Sequence, residues 1–433
     1  MIRIKDVTGA LSGLVGWEQN YSPLDMRIDE DLTRSDSGLT FQQVHPLLTL
    51  SNLASVAPNF DGMTFPVYSS SANYVKGDLV TSGGDLYRAV KDGTGHDVSD
   101  TTYWMKTDLF SDWLRHKTNS SIAKAVMRFV NEKLNKGTYK MLFENQTLFD
   151  GTGRIVDREP NRSNVCGFEL VPIRAKGITT KINKIGLQFS KAGDYTVYIM
   201  HSSLSEPYRV LHFTKQKDNA MEWFALNDVY LPYSDSTIDA GGSWYVVYNQ
   251  NELPEGSEAI KKNRDWSKEP CTTCSRNDYA SWVLWSKYFE VHPFYVNSEL
   301  VDTTSGMSMW DVKDNNYVYT SNYGINLDIT VACDITDTII GQRHLFADVV
   351  AKQVGVDFLR EFAYNSNARA NRSIINASKT EVLYELDGDS ASMKKSGLNY
   401  QLDLAFKAIE LTFEGIDRAC LPCNNGGIKY RSI

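Results

Sequence analysis

The period at which apolar side chains recur changes twice along this chain, and no other feature constrains its fold as strongly. From about residue 139 to 296 the period is close to two. Ile185, Leu187 and Phe189 alternate with Gly186 and Gln188. Tyr195, Val197 and Ile199 follow the turn signal Lys191-Ala192-Gly193-Asp194. Trp244 to Tyr248 is a continuous apolar run entered through Gly241-Gly242. Ile325, Leu327, Ile329 and Val331 alternate with Asn326, Asp328 and Thr330, which predicts one more half-buried strand. Side chains two apart share a face of a strand. Many short strands divided by turn signals predict an antiparallel β-sandwich or jelly roll.

On both flanks the period lengthens to helical values. Ile122, Val126, Phe129, Val130 and Leu134 form one stripe within residues 109–134, and Asn135-Lys136-Gly137 is a stop signal. Leu345, Phe346, Val349, Val350, Val354, Phe358, Leu359 and Phe362 make one wide apolar face. Leu402, Phe406, Ile409, Phe413 and Ile416 step by 4, 3, 4 and 3, which predicts a helix packed on another helix. The fold class is therefore α+β, with a central antiparallel sandwich and C-terminal helices.

A third pattern interrupts the helical flank. Tyr74-Val75-Lys76-Gly77-Asp78-Leu79-Val80, Gly83-Gly84-Asp85-Leu86-Tyr87-Arg88-Ala89 and Tyr103-Trp104 alternate strand-like runs with Gly and Asp turns. The 433 residues are enough for several cores. The expected order is an N-terminal arm and helix over 1–67, a three-stranded unit over 68–106, and a helix over 107–138. The sandwich follows over 139–340 and a helical region over 341–433. Residues 1–36 hold few regularly spaced apolar side chains, so they read as an arm ordered only by another subunit. A helix then carries Val44, Leu47, Leu48, Leu53 and Val56, with Pro46 in its first turn and Pro58 ending it. Residues 251–270 read as a surface loop, and 380–386 as a strand or an edge.

The aromatic unit resembles the small three-stranded carbohydrate-binding module of chitinases, which recurs on bacteriophage tail proteins. That resemblance implies sugar stacking on Tyr74, Tyr87, Tyr103 and Trp104, or use of the same rings as the core of a tiny domain. Tyr87 and Trp104 are expected inside, and Tyr74 and Tyr103 nearer the surface. Further phrases span the chain: Ser37-Gly38-Leu39-Thr40-Phe41-Gln42 leading to His45-Pro46-Leu47-Leu48-Thr49-Leu50, Gly415-Ile416-Asp417 leading to Cys420-Leu421-Pro422-Cys423, and Gly427-Ile428-Lys429-Tyr430-Arg431. They resemble neck and tail proteins of podovirus-type phages that infect Bacteroides, the crAss-like group. The resemblance implies a virion structural protein, a ring subunit of the neck or tail. Its partners would be copies of itself, other neck or tail proteins and, in passing, genomic DNA. It implies no enzymatic activity and no catalytic residue. The alternatives are a glycan-binding fibre or receptor-binding protein and a tail-associated glycan hydrolase.

Of six cysteines, Cys271/Cys274 and Cys420/Cys423 have C-x-x-C spacing. Three readings stay open: a tetrahedral thiolate zinc site, a disulfide between the pairs, and free buried thiols. No other cofactor is implied. The seven histidines show no metal or catalytic spacing, and Asp387-Gly388-Asp389 lacks the later ligands of a calcium loop. A net charge of -8 disfavours nonspecific nucleic-acid binding. Arg369, Arg372, Lys394 and Lys395 would still meet DNA phosphates if they lined a lumen, or else form a solvated loop. No signal peptide and no window of about 18 apolar residues is present. The expectation is synthesis in the host cytoplasm, no membrane span, and a final place in the virion.

Overall fold

The computed structural model describes residues 2–19, 27–134, 140–173, 177–232, 242–273, 275–303, 307–364, 372–388, 396–414, 416 and 420. The chain forms two compact units, each built from segments distant in sequence. One comprises Asn135–Asp337 with Phe413–Ile433 and Met1–Ile2, and the other Arg3–Leu134 with Thr338–Thr412. This corrects the expected partition into five consecutive regions. The N-terminal and C-terminal helices share one unit, and the three-stranded module lies in that same unit.

The first unit is a β-sandwich of two antiparallel sheets. The six-stranded sheet runs in the order Arg209–Lys215, Gly193–His201, Trp244–Asn249, Asn164–Pro172, Phe289–Asn297 and Asn316–Tyr317. The four-stranded sheet runs Met221–Pro232, Ile178–Gln188, Ile325–Cys333 and Met141–Thr147. Alternate residues of both sheets, among them Phe168, Val246, Ile185, Leu187 and Leu327, meet in one core. Each such side chain stabilises the fold by about 1.5–3 kcal/mol on burial. The Trp244–Asn249 strand is buried on both faces, because Val301, Met307 and Trp310 cover Tyr245 and Val247 on the outer side.

Three expectations change here. The Ile325–Cys333 strand is fully buried, not half-buried. Its polar positions are satisfied within the protein: Asn326 donates to the Phe149 carbonyl at 3.0 Å, and Asn183 donates to Asp328 at 3.1 Å and to Thr330 at 2.8 Å. A buried polar group with a partner avoids the desolvation cost that alternation was taken to report. The 251–270 stretch is not wholly surface: Ala259–Ile260 pairs with Arg158–Glu159 and is buried. A helix, Arg276–Trp285, interrupts the strands and buries Trp285.

In the second unit the Leu109–Lys133 helix packs against Ile4–Leu11 and Ala347–Tyr364. The N-terminal segment is therefore no arm awaiting another subunit. Ile4–Leu11 is an amphipathic helix that buries Val7 and Leu11. Trp17, also buried, lies edge-on to Phe358 at 5.4 Å and tilted on Phe41 at 4.6 Å. Arg115 ties the entry segment down. Its Nε and Nη2 donate to Asp31 at 2.9 and 2.8 Å, and Nη2 also reaches Asp29. The Leu50–Val56 helix starts later than expected, where the Thr49 hydroxyl accepts the Asn52 N–H. Gly355 allows the close approach of residues 44–48, since a Cβ there would meet Val44 at 2.9 Å.

The C-terminal region brings two more corrections. Residues 380–386 belong to the Arg372–Asp387 helix, not to a strand. The Leu398–Ala408 helix ends before Ile409. Beyond it the chain is extended, and the Gln342 side-chain amide accepts the Thr412 N–H at 2.9 Å and donates to its carbonyl at 2.8 Å. Ile409 and Ile416 are buried even so, outside any helix.

Candidate functional site

The aromatic unit is a three-stranded antiparallel sheet of Leu79–Ser82, Asp85–Ala89 and Trp104–Thr107. Gly83 and Gly84 close the first hairpin with φ of 62° and 91°, the pattern of a type I′ turn. Trp104 is buried and donates its indole N–H to the His96 carbonyl at 2.9 Å. The Tyr68 and Tyr74 rings meet it edge-on at 5.7 and 4.9 Å. The Tyr74 hydroxyl accepts the Ser69 N–H at 2.8 Å. Tyr103 stacks on His96 with ring centres 3.4 Å apart and planes 8° apart, and Lys91 Nζ lies 4.9 Å from the same ring. Gly93 makes that stack reachable, because a Cβ there would lie 2.8 Å from Tyr103.

Of the expected site residues, Trp104 is buried, while Tyr74, Tyr87 and Tyr103 are half-buried. Tyr87 is thus less enclosed than expected. The hollow among Tyr74, Lys91, Gly93, His96, Tyr103 and Trp104 measures about 10 Å³, about the space of one water. The rings bind one another. Arg88 pairs with Asp112, and Thr107 donates to Asp29 at 2.5 Å, so the module is fastened to the helices of its own unit.

The structure pairs one of the C-x-x-C cysteines outside both pairs. Cys420 is disulfide-bonded to Cys333, 87 residues away, and both are buried in the sandwich unit. A sulfur held in a disulfide offers no thiolate to a metal, so Cys420 is not a zinc ligand in this state. Cys271 is exposed beside Thr273, and Cys274 and Cys423 lie outside the described residues. Cys166 is buried next to Tyr248, and burial pushes its thiol well above the usual range. Among the described residues no group of three or more His, Cys, Asp or Glu side chains could hold a metal ion. Of the basic residues considered for DNA, Arg369, Lys394 and Lys395 lie outside the described residues, and Arg372 begins a helix.

Sequence reasoning missed a cleft of about 620 Å³ in the helical unit. Trp113 and Phe358, edge-on at 5.9 Å, supply an aromatic part of its wall. Asp357 accepts from Ser121 at 2.7 Å, Lys124 at 2.9 Å and Gln353 at 3.2 Å. Glu361, one turn on, pairs with Lys117. The cleft holds serines but no histidine beside them, and both carboxylates are engaged by lysines. This arrangement lacks the nucleophile-and-base geometry of acyl transfer and suits recognition of a mixed apolar and charged surface. Its residues come from three segments that only packing brings together.

No family model, curated protein or solved structure matches this chain.

Proposed function

We propose that this chain is a structural subunit of a phage virion, assembling with copies of itself into a ring of the neck or tail. It joins neighbouring neck or tail proteins, encloses the passage for genomic DNA, and performs no enzymatic step. The observation that supports this reading best is the state of the chitinase-like module. Its aromatic rings are turned on one another, and ion pairs and hydrogen bonds secure it to the helical unit. A sugar-displaying module would hold its rings open. The apolar side chains left exposed in and before the module are aliphatic: Met63, Val67 and Val75. Aliphatic surface suits contact with another protein chain. Rings arise when a head-to-tail interface closes on itself.

The purified full-length chain should form closed oligomers, seen as one discrete mass by native mass spectrometry and as rings by electron microscopy. Met63→Asp with Val67→Asp should dissolve them while leaving the melting temperature of the protomer unchanged. A stable monomer at every concentration, together with saturable retention on host capsule through the module, would favour the receptor-binding reading.

A further inference from the structure

On the sandwich, one exposed tyrosine ring has a near-parallel, half-buried neighbour. Asn316–Tyr317 is the edge strand of the six-stranded sheet, paired only with Phe289–Asn297. Tyr319 follows in the turn beyond this strand and is half-buried against the sandwich core. The Tyr317 and Tyr319 rings are 15° from parallel, with centres 6.3 Å apart. His292, on the neighbouring strand, meets both edge-on at 6.0 and 6.1 Å. Tyr317 is 44% exposed. Trp223, Tyr364 and Tyr384 are also exposed, but among the described residues none of them has a parallel partner ring.

Tyr317 is held from beneath. Glu169 is buried, and its two oxygens accept from Tyr317 at 2.7 Å and Tyr245 at 3.1 Å. Tyr245 packs in turn on Phe294 and Trp310. An exposed ring fixed through its hydroxyl gives up little freedom when a ligand arrives. At the rim, His292 Nε2 lies 3.2 Å from Glu290, whose side chain is largely exposed. The edge thus offers an apolar face with a hydrogen-bonding acceptor and an imidazole beside it.

We infer that Tyr317, Tyr319, His292 and Glu290 form a binding site for a neutral sugar ring of a polysaccharide. The C–H face of a pyranose stacks on the Tyr317 ring, and its hydroxyls bond to Glu290 and His292. Glu290 and the chain's net charge of -8 disfavour an acidic polymer. The site stands whether or not the chain closes into rings.

Affinity electrophoresis of the full-length protein in gels containing dextran, mannan, xylan or, as acidic control, polygalacturonate tests this. At least one neutral polymer should retard the protein, and polygalacturonate should not. Tyr317→Ala should weaken retardation by about tenfold or more, the equivalent of losing one aromatic stack. Tyr317→Phe, which keeps the ring but loses the Glu169 anchor, should bind between the wild type and Tyr317→Ala, and Tyr103→Ala in the module should leave retardation unchanged. Equal melting temperatures exclude unfolding as the cause. The inference is overturned if no neutral polymer retards the wild type, if Tyr317→Ala binds as well, or if the loss follows Tyr103 instead. Loss of oligomers in Tyr317→Ala without any sugar retention would make the edge an interface between copies and would equally overturn it.

Discussion

At the residue scale, His201 shows how burial sets chemistry without creating a catalytic group. It lies against Trp244, with ring centres 4.6 Å apart, and its Nδ1 accepts the Ser203 N–H at 3.1 Å. Burial lowers its pKa to about 4. The unfolded chain binds the same proton near pH 6.5. Between those two values the unfolded state takes up a proton that the folded state refuses, so stability falls as pH drops from about 6.5 to about 4. Above that window the group is neutral in both states, and below it charged in both. The loss amounts to at most about 3 kcal/mol. His201→Gln should flatten this part of the stability profile in urea titrations at a series of pH values. An unchanged slope would assign the acid sensitivity to another group. Arg115 is the opposite case. Burial works against its charge, but hydrogen bonds to Asp31 and Asp29 more than offset that and hold the guanidinium protonated.

At the scale of elements, the end of the Leu398–Ala408 helix separates two phenylalanines that share one apparent stripe. Phe406 is in the helix, 1% exposed, with the Arg128 guanidinium 4.4 Å above its ring. Phe413 is half-buried in extended chain. Phe406→Ala should therefore cost about 3–5 kcal/mol, and Phe413→Ala less than half as much. Denaturant midpoints of the two variants check this; equal losses would mean the helix continues through residue 413. The extended course has a local cause. Ile409-Glu410-Leu411-Thr412-Phe413 alternates apolar and polar residues, which fits an extended chain as well as the 4-3-4-3 spacing fits a helix.

On the scale of the whole molecule, the chain passes from the helical unit to the sandwich and back, and its last segment rejoins the sandwich. The Cys333–Cys420 disulfide closes a loop that contains all of Thr338–Thr412. In the chain-entropy account, a closed loop of this length stabilises the fold by about 4–5 kcal/mol. Replacing both cysteines by serine should lower the denaturation midpoint accordingly. Non-reducing peptide mapping should recover the linked peptides, whereas alkylation of Cys333 and Cys420 without reductant would exclude the bond. Such bonds persist in oxidising surroundings.

The sequence by itself determined what depends on neighbours a few residues apart. The Leu109–Lys133 helix and the strands around Ile185, Tyr195 and Trp244 follow from apolar period, because that period is the local pitch of the backbone. The first hairpin of the module follows from Gly83-Gly84, which adopt the required φ without steric cost. Only the tertiary structure decided which distant segments would meet. Asn326, Asp328 and Thr330 read as solvent-facing until Phe149 and Asn183 cover them. Val7 and Leu11 find their partner in a helix about a hundred residues on, and Cys420 finds Cys333 instead of a cysteine of the Cys271/Cys274 pair. Tyr317 takes its anchored, exposed position from Glu169 and His292 on two other strands. Spacing records the pitch of a backbone; contacts across tens or hundreds of residues are chosen by how whole faces pack and by which polar groups can be satisfied there.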